Sequence, residues 1–264
     1  MTHTSLIRIA SVVCAVFLGS ATASPAAPAI DATEIVARLI NADPWGLSGT
    51  TVTAHVNLTD KSGARRELSF NARSRRYDPP YSKSLVRFTA PADLAGAGFL
   101  QIQNRGGDDD RYLFLPDLKR SRRISGSLRS NSFMGTDFSF ADLDRRDLRE
   151  SVAKRLPDEN IGPFACFHLD TTPSRADSPY ARVELWIRID NSLPLRMRMY
   201  DKAGVLFKTF AAKEVRRSEG RWYIVKSQMS DLVHSHETEL VIDSFSGSSD
   251  VPDSEFTLRN LERL

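Results

Sequence analysis

Cysteine is nearly absent from this chain: Cys14 and Cys166 are the only two in 264 residues. One disulfide at most excludes a small scaffold held together by crosslinks. No charge dominates, since 36 Lys and Arg stand against 33 Asp and Glu for a net charge of +3. That balance gives no electrostatic signature of nucleic-acid binding. Long apolar runs are missing as well; the longest, Ile9–Leu18, is too short to span a bilayer comfortably. There is no nucleophile elbow, phosphate-binding Walker loop or dinucleotide fingerprint. With 41% hydrophobic and 26% charged residues, a disordered chain and a polytopic membrane protein are excluded too.

The first segment has the grammar of an export signal. A polar start ending at Arg8 leads into the apolar Ile9–Leu18, and Ala21-Thr22-Ala23 supplies small residues for cleavage. The expectation is a signal peptide over 1–23 and a mature domain over 24–264 that starts at Ser24, in the periplasm. The bulky Val13 before Cys14 speaks against a lipoprotein. Removing 1–23 takes away Arg8 and no acid, and leaves Cys166, flanked by Ala165 and Phe167, as the single thiol. A lone cysteine in such company reads as a small buried hydrophobe.

In the mature chain, Asp31-Ala32-Thr33-Glu34 has the form of a capping box. Ile35, Val36, Leu39 and Ile40 follow at helical spacing, and Asn41 and Pro44 end the helix. From there period two takes over. Val52, Ala54, Val56 and Leu58 alternate with polar residues, and further strands read over 67–72, 83–89, 99–103 and 111–115. Strands over 182–190, 195–199, 205–210, 222–229 and 237–244 complete the series. The fold class is mainly β: one antiparallel sheet of about ten strands that curls around its apolar face. Helical material is expected only over 31–40, near Phe140–Arg146 and at the C-terminus, enough to cap the curl and too little to fill it.

Candidate functional residues fall into three groups. Val183, Leu185 and Ile187 alternate in register with Leu195, Met197 and Met199, so the six are expected to line one apolar concavity, opposite Arg182, Glu184, Arg188, Arg196 and Arg198. Those charges would face lipid in a transmembrane barrel, at about 2–4 kcal/mol each at midplane, which argues against one. Phe133, Met134 and Phe138 read equally as ordinary core or as a greasy, adaptable ligand site. Lys119, Arg120, Arg122, Arg123 and Arg129 lie in an acid-free stretch. They read either as a solvated face or as a docking surface for a partner or anionic headgroups, where each cation gains roughly 1 kcal/mol. His234 and His236 are too few for a metal site. Asp108-Asp109-Asp110 lacks the alternation of a calcium loop and reads as a turn. No metal, cofactor or catalytic residue is expected.

The run Tyr112-Leu113-Phe114-Leu115-Pro116-Asp117-Leu118-Lys119-Arg120-Ser121-Arg122-Arg123-Ile124, followed by Phe133-Met134-Gly135-Thr136-Asp137-Phe138-Ser139-Phe140-Ala141-Asp142-Leu143, resembles the periplasmic outer-membrane lipoprotein-sorting (LolA-like) proteins. The likeness is to a branch with an FMGSDF motif, where this chain has Thr136 in place of serine. Phe88–Leu100, Pro194–Lys208 and Phe256–Arg259 fit in order. The resemblance implies an incomplete antiparallel barrel with a helical lid that binds a lipid or acylated cargo in its concavity. It also implies a carrier rather than an enzyme, and a monomer whose partner is an inner-membrane resistance-nodulation-division lipid exporter or an outer-membrane receptor. The alternative is an envelope lipid sensor or scaffold that does not transport. An exported hydrolase has no motif in its favour.

Overall fold

The computed structural model describes residues 30–44, 49–78, 81–143, 145–247 and 250–263. The expected signal peptide lies outside them. Helix α1 (Ala32–Ala42) starts where the sequence places it: the Asp31 carboxylate accepts from the Glu34 backbone N–H at 2.8 Å. Only half of the capping box forms, because the Glu34 side chain accepts from Arg38 instead. Asp43 ends the helix in the left-handed region, its buried carboxylate accepting from Arg221 at 2.9 Å.

Thirteen strands then form one antiparallel sheet. Strands β1 (Thr51–Thr59), β2 (Arg65–Asp78), β3 (Tyr81–Ala90), β4 (Gly98–Ile102), β5 (Asp110–Leu115) and β6 (Arg120–Arg123) step outward to one edge. After a crossing segment, β7 (Val152–Ile161) forms the other edge. From there β8 (Phe164–Thr172), β9 (Arg182–Arg188), β10 (Pro194–Tyr200), β11 (Leu206–Ser218), β12 (Arg221–Asp231) and β13 (His236–Ser246) step back until β13 pairs with β1. Edges β6 and β7 do not meet, so the curved sheet stays open. Every connection but one is a local hairpin. The exception, residues 124–151, must travel from edge to edge, and it does so across the hollow face. Its pieces are a 3-10 turn (Gly126–Ser130), a loop through Leu143, and helix α2 (Arg145–Glu150).

Three strands escape the alternation pattern: β6, β7 and β8. Strand β6 is Arg-Ser-Arg-Arg, and β7 carries Lys154, Arg155, Asp158 and Glu159 around Pro157. Charge and proline belong on free edges, where they discourage pairing with another chain. In β8 the run Cys166–Leu169 is buried on both faces, which erases the period of two.

Apolar packing fills both ends of the hollow. At one end α1 lays Ile35, Val36, Leu39 and Ile40 on Phe167, Leu169, Leu185 and Ile187. At the other, Phe133 and Phe140 from the crossing segment pack on Phe88 and Phe99, with ring centroids 5.3–5.9 Å apart. On the outer face the C-terminal helix α3 (Leu258–Leu261) places Leu261 against Leu85, Leu100 and Phe114. Cys166 is fully buried on that outer face beside Trp186 and Leu195, and burial pushes its thiol pKa up.

Candidate functional site

Strand register decides which side chains share the hollow. Leu185 pairs with Met197 and Val183 with Met199, so these four stand on the inner face. They line a cavity of about 150 Å³ together with Leu39 and Ile40 of α1. Ile187 faces the same way but is packed against α1 and does not line this cavity. Leu195 is a correction. The register shifts between Pro194 and Arg196, so Pro194 takes the inner position opposite Ile187. The bulge sends Leu195 to the outer face, against Trp186 and Cys166. Ile189, inside the expected strand 182–190, lies past the end of β9 and is 40% exposed.

A second cavity of about 140 Å³ lies under the crossing segment, lined by Val52, Ala54 and Val56 of β1, Phe70 and Val86, and by Phe133 and Phe138. Met134 does not join them. It adopts a left-handed φ of 55°, followed by Gly135 at 81°. This double turn swings Met134 toward a separate groove at the β6 edge of the inner face, shared with Leu113, Leu115 and Phe140. Nothing stands within 4 Å of a Cβ built on Gly135, so the backbone angle and not lack of space calls for glycine there.

The segment between the two phenylalanines is tied down by polar bonds. The Thr136 hydroxyl donates to the Phe133 carbonyl at 2.6 Å, closing the turn. Asp137 is buried; its carboxylate accepts from the Thr238 hydroxyl at 2.7 Å and meets His236 Nδ1 at 2.8 Å. Thr238 also accepts from the Asp137 backbone N–H at 2.8 Å, so both ends of the aspartate are held by β13. Further on, Asp142 accepts from the Tyr180 hydroxyl at 2.6 Å and from the Ser139 backbone N–H at 2.7 Å. Lys208 Nζ lies 3.6 Å from the same carboxylate. Asp142 lines both apolar cavities, so this clasp stands at the wall between them.

The remaining site candidates disperse. His234 bonds to Asp231 within its own turn, while His236 belongs to the Asp137 anchor. Asp108, Asp109 and Asp110 each meet an arginine: Arg175, Arg111 and Arg123. Within the basic run, Lys119 is exposed at a left-handed turn, and Arg120 and Arg122 line the groove at the β6 edge. Arg123 points to the other face and pairs with Asp110 at 2.8 Å. Arg129 departs from a solvated or docking face altogether. It is 1% exposed and pairs with Asp177, fastening the start of the crossing segment to the loop before β9. Burial opposes ionisation of Asp177, but bonds from Arg175 and Arg129 outweigh it and hold its pKa below the usual carboxylate value.

Sequence reasoning left Asp142, Lys208, Tyr180 and Thr238 without a role. One signal was available: Lys208 occupies an inward register position, opposite Met199 and two residues from the buried Phe210. A lysine there calls for a buried partner.

The comparisons bear on this architecture. A family model described only as "uncharacterized protein"-like matches residues 81–263. A putative outer membrane lipoprotein-sorting protein domain from Vibrio parahaemolyticus is 25% identical, with a TM-score of 0.80 over 86% of this chain and 97% of that one. A DUF1329 family protein from Desulfovibrio piger ATCC 29098 is 26% identical, with a TM-score of 0.81 over 87% and 97%. A LolA superfamily protein from Nitrosomonas europaea shares the fold at 20% identity, with a TM-score of 0.69 over 87% and 98%. No curated protein matches the sequence. The chain belongs to the family whose model spans residues 81–263, and it has the LolA-like fold, an open antiparallel sheet bridged by its own crossing segment.

Proposed function

We propose that the protein is exported, loses residues 1–23, and binds an acyl chain of a lipid or lipoprotein on the inner face of its sheet, carrying it between envelope components. The observation that carries this reading is the pair of apolar cavities on one continuous inner face, separated by a single polar clasp. Its relatives include the lipoprotein-sorting domain described above. A partner in the inner membrane, of the resistance-nodulation-division exporter class, or a receptor at the outer membrane would supply or accept the cargo. The exposed cations Lys119, Arg120 and Arg122 form the face we assign to that encounter, while Arg123 lies on the opposite face of the same strand.

Magnitudes favour a reversible device. Each cavity is about the size that takes up one benzene, smaller than the roughly 300–1,000 Å³ of a ligand pocket, so loading requires the crossing segment to lift. Among the described residues, Asp137 is linked to Thr238 by two bonds and to His236 by one, and Asp142 meets Tyr180 and Lys208. Each such link costs roughly 1–3 kcal/mol to break without replacement. Burying ten methylenes returns about 8 kcal/mol. The two sums are comparable, so a chain can open the hollow without being trapped there, and a receptor needs only a modestly better apolar site to extract it.

Vesicle transfer tests this. Lipid with a fluorescent acyl chain in donor vesicles should move to acceptor vesicles faster when the exported protein is added, in proportion to its concentration. Binding without faster transfer would leave a lipid sensor. Leu185→Glu should abolish retention, because the carboxylate would be buried unpaired; equal retention by a folded variant would remove the β9–β10 face from the site.

A further inference from the structure

At the β6 edge of the same inner face, beyond the aromatic cluster, a groove of about 720 Å³ runs between strand β6 and the crossing segment. Leu113, Leu115, Leu128 and Met134 are among the apolar side chains that line it, and among the described residues no acidic one does. Leu118 at its end is 55% exposed. Arg120 and Arg122 sit opposite Leu115 and Leu113 in the strand register, which places both on the groove side. Neither side chain takes part in an ion pair or hydrogen bond among the described residues, unlike that of their neighbour Arg123. Two unpartnered guanidiniums beside a greasy trough have the chemistry of a site for a molecule with an apolar tail and an anionic head. Guanidinium suits phosphate in particular, because its fork of donors matches the phosphate oxygens.

The groove also has a place on a path. Phe140 lines it from one side of the aromatic cluster, and Phe133, packed on Phe140 at 5.4 Å, lines the second inner cavity from the other. The cluster is thus the partition between groove and hollow.

We infer that this groove is a binding site for an anionic acyl lipid, its phosphate held by Arg120 and Arg122 and its chain laid against Leu113 and Leu115, next to the aromatic partition. This deepens the carrier reading and rests on it, since it names the headgroup class and the side from which a chain meets the hollow. Charge complementarity selects the occupant. A neutral lipid would leave both guanidiniums unanswered.

The test uses lysophosphatidylglycerol with a photoreactive group in its chain, and lysophosphatidylcholine with the same chain, on the exported protein. Crosslinked peptides are then mapped. The expected result is labelling of the β5–β6 hairpin and residues 126–134 by the anionic lipid, at least about tenfold weaker with the choline lipid. An Arg120→Glu, Arg122→Glu variant should lose that labelling by a similar factor at low salt while keeping its melting temperature, because exposed charges contribute little to stability. Equal groove labelling by both lipids, or labelling indifferent to the double reversal, would overturn the inference. Labelling confined to β1, β9 and β13 would overturn the groove and keep the carrier reading. No labelling anywhere would overturn both.

Discussion

The two ends of the hollow are closed in different ways. Over β8 and β9 the cover is a regular helix: α1 satisfies its own backbone and contributes a stripe of four buried aliphatic side chains. Over β1 to β4 the cover is an irregular loop, residues 131–143, whose aromatic plug is held in place by side chains of distant strands. A helix brings its hydrogen bonds with it and moves as a unit. A loop borrows its bonds from the sheet, so lifting it exposes a few polar groups at defined places, which water can satisfy. The difference assigns the opening motion to the loop end and the fixed wall to the helix end.

The strongest way to break this comparison is to empty the plug. Phe133→Ala should cost roughly 3–5 kcal/mol, read from denaturant unfolding, because Phe133 touches Phe88, Phe99 and Phe140. Leu39→Ala at the helix end should cost roughly 2–5 kcal/mol. It should leave hydrogen exchange of residues 131–143 unchanged; faster exchange there would show that the two covers are not independent. Thr238→Val removes one bond from each end of Asp137. A cost of about 1–3 kcal/mol is expected, with exchange accelerated in 131–143 and not in α1. Asp31→Ala should cost about 1 kcal/mol through the lost cap, with exchange accelerated in the first turn of α1 alone.

Acid supplies a smaller effect. The native pKa of Asp177 is lowered, so its stabilising share is complete above the ordinary carboxylate value of about 4. That share is lost as the pH falls through the lowered native value. The exchange protection of residues 126–130, which Arg129 fastens to Asp177, taken relative to the intrinsic rate at each pH, should therefore fall below about pH 4. It should do so less in an Asp177→Asn variant.

Much of this architecture is legible in the residues. Alternation such as Val52, Ala54, Val56, Leu58 identifies strands with one covered face, and the Asp31 cap with its aliphatic stripe identifies α1. What is not legible has physical reasons. Strand β6 shows no apolar period because an edge has only its charges to offer. The exchange of Leu195 for Pro194 on the inner face depends on a bulge that no spacing rule reports. The clasp of Asp142, Tyr180 and Lys208 joins three elements far apart in the chain, brought together because the one long connection must cross the hollow. The basic run looked uniform in sequence, yet strand register turns Arg120 and Arg122 to one side and Arg123 to the other, while Arg129 is buried.

The most direct test of the central claim is native mass spectrometry of the protein, purified without detergent, beside an Ala54→Trp variant. Ala54 is 1% exposed and lines the second cavity, so the indole would fill the space a chain needs. The account predicts one acyl lipid bound to the wild type and little or none to a variant that remains folded. Equal lipid on both, or a folded wild type that neither retains nor takes up any acyl lipid, would contradict it.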